Sequence, residues 1–245
     1  MKNYQLWTIL FVISVFLTSC NALASAQQDA PTHQKQYNIC LVLDGTDRLS
    51  EENGVPCVPY EEMVNLANTL TEKGTGNLYV SYVDNNCDNN RVAVFEWSEM
   101  KPSAPGNKPD YMKMAKYNEL VSAYEEAQGK YSSHLEESIR AFSHDCSCIE
   151  KMAYSDVVAH QKKGSDVNGA INQADRLLRA SAHGDNHPYI ILVSDGCDNV
   201  GKELAELTQG TEILLVNSNV AKHQYGNLIS REFVTLDQAI NYIFN

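Results

Sequence analysis

The stretch NICLVLDGTDRLS, residues 38–50, decides the fold. Its first half is continuously apolar, which predicts a strand over Gln36 to Leu43 that is covered on both faces. The run ends at a carboxylate, and polar or small residues follow it: Asp44, Gly45, Thr46, Asp47 and Arg48. Three roles are open for the carboxylate of Asp44: the nucleophile of a phosphotransferase, a metal ligand, or a cap on a following helix.

Strand and helix patterns alternate along the rest of the chain. Pro59 to Lys73 predicts a helix that ends at Gly74. Two β-rich runs, residues 77–83 and 91–97, flank the connector DNNCDNN and predict a hairpin, so one strand is antiparallel. Apolar residues at helical spacing predict a long helical segment at about 110–155, made of one or two helices.

The last third of the chain is the most regular. The expected elements are a helix over 166–182, a strand over 189–193, a short helix over 202–207, a strand over 212–216, an edge strand over 232–235 and a helix over 236–244. This order predicts one α/β domain with a doubly wound, mostly parallel central sheet and helices on both faces. Ligands of such sheets bind beyond the carboxyl ends of the strands, where Asp44 and Asp195 both lie.

The amino-terminal residues predict a secretion signal, because Lys2 precedes a hydrophobic run that is too short to span a membrane. The run ends in a small residue before Cys20 and resembles the lipobox of bacterial lipoproteins, in which the cysteine is acylated. We therefore expect a signal over 1–19, a lipidated Cys20, a flexible tether over 20–35 and a domain over 36–245. Cleavage after Ala26 would instead release a soluble secreted or periplasmic protein.

Composition limits the partners. The net charge of −12 argues against nucleic acid or an anionic membrane surface, and it suits cation binding. The six cysteines after Cys20 permit three disulfides in an exported protein, and their pairing stays open. Cys40, however, lies inside the apolar strand, where a free thiol is common.

The phosphotransferase role of Asp44 is excluded by one residue of the motif. Phosphatases of the haloacid dehalogenase type begin with Asp-x-Asp-Gly-Thr, whose first aspartate is the nucleophile. Asp44-Gly45-Thr46 matches the second half of that motif, but Val42 occupies the position of the nucleophile. The chain also lacks the G-x-S-x-G and H-E-x-x-H motifs, so we expect no hydrolase or other enzymatic activity.

Three polar segments have the order and spacing of a known metal site: Asp44-x-Thr46, KGSDVNGAI at residues 163–171, and SDGCDN at residues 194–199. Together they resemble the von Willebrand factor A domain, over residues 37–244. In that family a metal-ion-dependent adhesion site combines Asp-x-Ser-x-Ser after the first strand, a threonine before a later helix, and the aspartate of a Thr-Asp-Gly-like turn.

The resemblance implies a site for Mg²⁺ or Mn²⁺. Its ligands would be Asp44, Thr46, Ser165 and Asp195. Two carboxylates and two hydroxyls are the hard oxygen ligands that Mg²⁺ prefers, and they leave positions for water or for an acidic side chain of a partner. Further acidic residues border the same partner-binding rim: Asp47, Asp166 and Asp198. An aspartate or serine at a helix start is also an ordinary cap, so that role stays open for Asp166 and Ser165.

One departure from the family motif concerns Arg48, which stands where the second serine is expected. A guanidinium has no lone pair to offer a metal, and its charge opposes a nearby dication. Arg48 either turns outward or bridges Asp44 and Asp195. In the second case the site is degenerate, holds no metal, and receives the acid of the partner on Arg48 directly.

The sequence therefore predicts an adhesion or scaffold module of the bacterial cell envelope, anchored by lipid, that binds a protein partner at this rim. The alternative is a metal-free structural component of an envelope assembly that uses the long amphipathic helix.

Overall fold

A computed structural model describes residues 35–45, 55–154, 164–181, 187–217 and 225–245. The predicted signal, Cys20 and the tether up to residue 34 lie outside these residues. Among the described helices, none combines the length and apolar character needed to cross a membrane.

Six strands in the described residues form one sheet: β1 Gln36–Leu43, β2 Thr75–Tyr82, β3 Ala93–Trp97, β4 His187–Val193, β5 Glu212–Val216 and β6 Ile229–Phe233. The α-helices are α1 Tyr60–Lys73, α2 Met114–Tyr154, α3 Val167–Ala180 and α4 Leu236–Phe244. The strand order is β3-β2-β1-β4-β5-β6, with β3 antiparallel to β2 and every other pair parallel. The predicted doubly wound α/β fold is confirmed.

Strand β1 lies in the middle of the sheet and is buried on both faces. Ile39, Leu41 and Leu43 point to the face covered by α1, α2 and α4, while Cys40 and Val42 point to the face covered by α3. All five side chains are fully buried. This double burial is the reason that the strand reads as an unbroken apolar run.

Helix α2 is one continuous helix of 41 residues, about 60 Å long at 1.5 Å per residue. Its carboxyl-terminal part packs on the sheet, with the Phe142 ring 5.4 Å from that of Phe95 and the Tyr131 ring 5.4 Å from that of Trp97. No residue from Met114 to Lys130 is buried. The predicted helical segment is therefore a single helix, and only its second part belongs to the core.

The predicted short helix over 202–207 is wrong, because these residues are irregular. Side chains of α3 bind their backbone instead: Asn172 accepts from the N–H of Ala205 at 2.9 Å, and Asp175 accepts from that of Thr208 at 3.0 Å. The side chains of α3 thus satisfy these backbone N–H groups. The segment therefore does not need helical hydrogen bonds to pair them.

The last strand, β6, lies a few residues earlier than predicted. It covers Ile229–Phe233 rather than 232–235. Thr235 caps α4, since its hydroxyl accepts a hydrogen bond from the N–H of Gln238 at 3.4 Å. The predicted strand residues next to α4 therefore belong to the helix start.

Cys40, Cys87, Cys146 and Cys148 are free thiols. Cys40, Cys87 and Cys146 are buried, and burial raises the pKa of each thiol to about 12. These three behave as small core side chains, which leaves Cys57, Cys148 and Cys197 nearer the solvent.

Replacing Phe142 by alanine should lower the free energy of unfolding by about 3–5 kcal/mol, because the ring is buried between α2 and β3. Leu120→Ala, at an exposed position of the same helix, should change it by less than about 0.5 kcal/mol. Chemical denaturation measures both. Equal effects would mean that α2 does not pack on the sheet through Phe142.

Candidate functional site

The candidate site lies where the strand order reverses. From β1 the chain continues to β2 on one side, and it later returns to β4 on the other side. Such a switch point leaves a crevice at the carboxyl ends of the two strands. Asp44 follows β1, and its N–H donates to the carbonyl of Val193 at the end of β4, at 2.9 Å.

Asp44 is only 5% exposed, and its carboxylate is held by Ser194. The hydroxyl of Ser194 donates to Oδ2 of Asp44 at 2.8 Å and accepts from the N–H of Gly196 at 2.9 Å. The carbonyl of Ser194 accepts from the side chain of Asn217, at the end of β5, at 3.0 Å. A hydrogen-bonded row therefore links the carboxyl ends of β1, β4 and β5.

Sequence reasoning missed Ser194 and Asn217. Each is the first residue after a buried strand, on the edge where Asp44 lies. Parallel strands end at a common edge of the sheet. The position of Ser194 and Asn217 directly after a strand could therefore have indicated that they lie near Asp44.

Gly45, which follows Asp44, lies close against the end of α2. A Cβ at this position would lie 1.9 Å from the carbonyl oxygen of Ala153, near the end of α2. The backbone can approach the helix this closely only without a side chain. The next predicted site residues, Thr46, Asp47 and Arg48, lie outside the described residues, and the bridging role of Arg48 stays a prediction.

Asp195 lies in the turn after β4. Its Oδ1 accepts from the N–H of Cys197 at 2.9 Å, and Gly196 takes a φ of 71°. A positive φ of this size favours glycine, so the Asp-Gly pair shapes the turn. The side chain of Asp195 is partly exposed, and it is the most accessible of the described candidate ligands.

Ser165 is joined to the loop that follows β4. Its N–H donates to Oδ1 of Asn199 at 2.6 Å, and its carbonyl accepts from the N–H of Asn199 at 3.2 Å. The segment before α3 and the loop after β4 are thereby held together at the carboxyl edge. Three of the four predicted ligands, Asp44, Ser165 and Asp195, thus come from neighbouring segments of one edge.

Asp166 holds parts of the protein together and is not exposed at the rim. It is fully buried, and its Oδ1 caps α3 by accepting from the N–H of Gly169 at 2.9 Å. Its Oδ2 accepts from the N–H of Cys87 at 3.1 Å and pairs with Nζ of Lys202 at 2.7 Å. The hydrogen bond to Asp166 holds the pKa of Lys202 above its usual value. Burial keeps Asp166 from direct contact with a partner.

Asp198 is also tied to the protein, but it stays partly exposed. Its Oδ2 accepts from the N–H of Asn168 at 2.9 Å, and its Oδ1 accepts from that of Gly201 at 2.7 Å. The side chain therefore secures the loop after β4 to the first turn of α3.

Carboxylate and hydroxyl oxygens are ligands that suit a hard cation. The described residues alone do not supply all of the predicted ligands. No group of three or more His, Cys, Asp or Glu side chains that could hold a metal occurs in the described part of the chain. One oxygen of Asp44 and one of Asp195 each accept a hydrogen bond. A carboxylate has about four lone-pair sites, so these bonds are compatible with ligation.

No family model matches this chain, and no curated protein is similar to it in sequence.

Replacing Ser194 by alanine should lower the free energy of unfolding by about 1–3 kcal/mol, because a buried carboxylate and the N–H of Gly196 would each lose a partner. Ser133→Ala, on the exposed face of α2, is the matched control and should change it by less than about 0.5 kcal/mol. Denaturant titration of both variants checks this. Indistinguishable stabilities would show that Ser194 does not hold Asp44.

Proposed function

We propose that this chain is a protein-binding module of the bacterial cell envelope, which recognises a partner at the carboxyl edge of its sheet. The observation that carries the proposal is the placement of Asp44. Its buried carboxylate lies at the point where the strand order reverses, hydrogen-bonded to Ser194 and followed across the edge by Asp195.

The fold supports a von Willebrand factor A-like architecture. The sheet is doubly wound, with a single antiparallel strand at one edge of the described structure. Two contacts support the proposed site: Ser194 binds Asp44, and Asn199 of the same loop binds Ser165. The interlocked loops give the edge a defined shape. A defined shape lowers the entropy lost on binding a partner.

The proposed site works through oxygen ligands. Asp44, Ser165 and Asp195, with Thr46, would hold a divalent cation whose open position accepts an acidic side chain of the partner. The hydroxyl of Ser194 donates the hydrogen bond that orients the carboxylate of Asp44. In the metal-free form of the proposal, Arg48 receives the acid of the partner in place of the cation.

Export and anchoring are part of the proposal. The lipobox-like sequence before Cys20 supports an acylated chain held at the envelope membrane, with the domain on a polar tether. A soluble secreted or periplasmic form is the alternative if cleavage follows Ala26.

Titrating Mg²⁺ and Mn²⁺ into chelator-treated protein tests the metal-bound form. We expect a saturable rise in the thermal midpoint, because a ligand that binds only the native state stabilises it by RT ln(1 + [L]/Kd). Binding heat measured by calorimetry should saturate with the same affinity.

Asp195→Ala is the control for this titration, since its side chain is partly exposed and its loss should leave the fold intact. The shift should vanish in the variant. A shift that persists would place the metal elsewhere. No shift at millimolar metal would leave only the metal-free form, in which Arg48 binds the partner.

A second candidate function uses α2. Its first part, Met114 to Lys130, contains no buried residue and exposes Met114 by 60% and Leu120 by 42%. A helix of this kind suits the alternative role in an envelope assembly.

Reversing the charges of Glu125 and Glu126 to lysine tests that second role. If α2 is the contact, recovery of the chain in crosslinked envelope complexes should fall severalfold, whereas Asp195→Ala should leave it unchanged. The opposite result would assign the contact to the rim.

A further inference from the structure

Strand β3 forms an edge of the sheet. It pairs with β2 on one side, over the residue pairs from Gly76↔Trp97 to Val80↔Ala93. No backbone hydrogen bond joins β3 to any described segment other than β2. Within the described part of the chain its outer N–H and C=O groups are therefore unpaired, and such groups are a template for a further strand.

Lysine, proline and bulges, which block many edge strands, are absent from β3. Its sequence, AVFEW, contains neither lysine nor proline, and its register with β2 is continuous. Val94 is 44% exposed. Natural edges are commonly blocked by lysine, proline, bulges or a covering element, so an open edge needs an explanation.

A slot runs beside this edge. A cavity of about 340 Å³ is lined by Val94 and Glu96 of the strand and by Ser138, Ala141 and Asp145 of α2. The small side chains of Ser138 and Ala141 leave room where α2 passes the strand. An added strand would lie about 4.8 Å from β3. The slot leaves room on the α2 side of the edge for side chains of such a strand.

A second cavity, of about 440 Å³, is partly lined by Glu96 and lies toward Tyr79 and Ser181. Successive side chains of a strand point to opposite faces of the sheet. The side chains of an added strand would therefore alternate between the two sides of the edge, with space available at Glu96 on both.

The charge of the edge identifies the occupant. The side chain of Glu96 is exposed and makes no hydrogen bond or ion pair with any described residue. Asp145, on the other wall of the slot, is already paired with Arg91 at 2.5 Å. A second copy of this chain, with its net charge of −12, would bring another acidic edge, whereas a basic partner would neutralise Glu96.

We propose that the outer edge of β3 binds an extended, basic segment of a partner protein as an additional strand. Backbone hydrogen bonds to β3 hold the segment, an apolar side chain packs on Val94, and a lysine or arginine two residues away pairs with Glu96. This site is separate from the rim at Asp44, and the proposal does not depend on the function proposed for that rim.

The probe is the peptide Thr-Val-Thr-Lys-Thr-Val-Thr-Lys, whose valine and lysine side chains share one face of a strand. We expect saturable binding at physiological ionic strength, measured by fluorescence anisotropy. Amide hydrogen exchange should slow at outward-pointing N–H groups within residues 93–97. A peptide with proline at both its fifth and its sixth position should not bind. Alternate N–H groups of a strand face its neighbour, so one of the two prolines must remove a donor to the ladder.

Glu96→Lys should weaken binding of the lysine peptide by about tenfold or more, and it should favour a peptide with glutamate in place of lysine. Glu119→Lys, the same charge change on the exposed part of α2, should leave the affinity unchanged. Thermal midpoints of both variants confirm that the fold is retained.

Four results would overturn the proposal. The lysine peptide could fail to bind up to millimolar concentration, or it could bind equally well to Glu96→Lys. The proline peptide could bind as well as its parent, which would mean charge attraction without strand addition. Concentration-dependent protection of β3 in the absence of peptide would assign the edge to a second copy and contradict the basic partner.

Discussion

The constraint on which the rest of the structure depends is that β1 has no exposed face. A strand in this position must be flanked by partners on both sides and covered by helices above and below, since its backbone groups and side chains have no access to water. Strands β2 and β4 supply the hydrogen bonds on its two sides. The reversal of strand order at β1 follows from this, and so does the position of Asp44 in a crevice rather than on a surface.

Asp166 has the corresponding role for the loops. A buried carboxylate is stable only if it is paired and hydrogen-bonded, and Asp166 meets that requirement with groups from three segments: Cys87 of the connector after β2, Gly169 of α3, and Lys202 of the loop after β4. The three segments are therefore fixed with respect to one another. The shape of the candidate rim depends on this anchor even though Asp166 does not reach the surface.

The sequence predicted the elements whose side-chain pattern is dictated by burial. Strand β1 and helix α4 have the predicted bounds because their apolar periodicity is unambiguous. The conformation of residues 202–207 was not predictable in this way. It depends on hydrogen bonds to Asn172 and Asp175, which belong to α3. Ser194 was missed for the same reason: its partner, Asp44, lies far away in the chain, and only the sheet brings them together.

The uneven burial of α2 has a consequence for its dynamics. Most of the stability of a helix in a protein comes from the packing of its apolar face, and no side chain of Met114 to Lys130 is buried to support that part. Beyond Tyr131 the same helix is held by the core. One continuous helix therefore joins a region that opens locally, at low free-energy cost, to a region that opens only with the whole domain. Local melting can travel inward along the helix axis and stop at the ring contact between Tyr131 and Trp97.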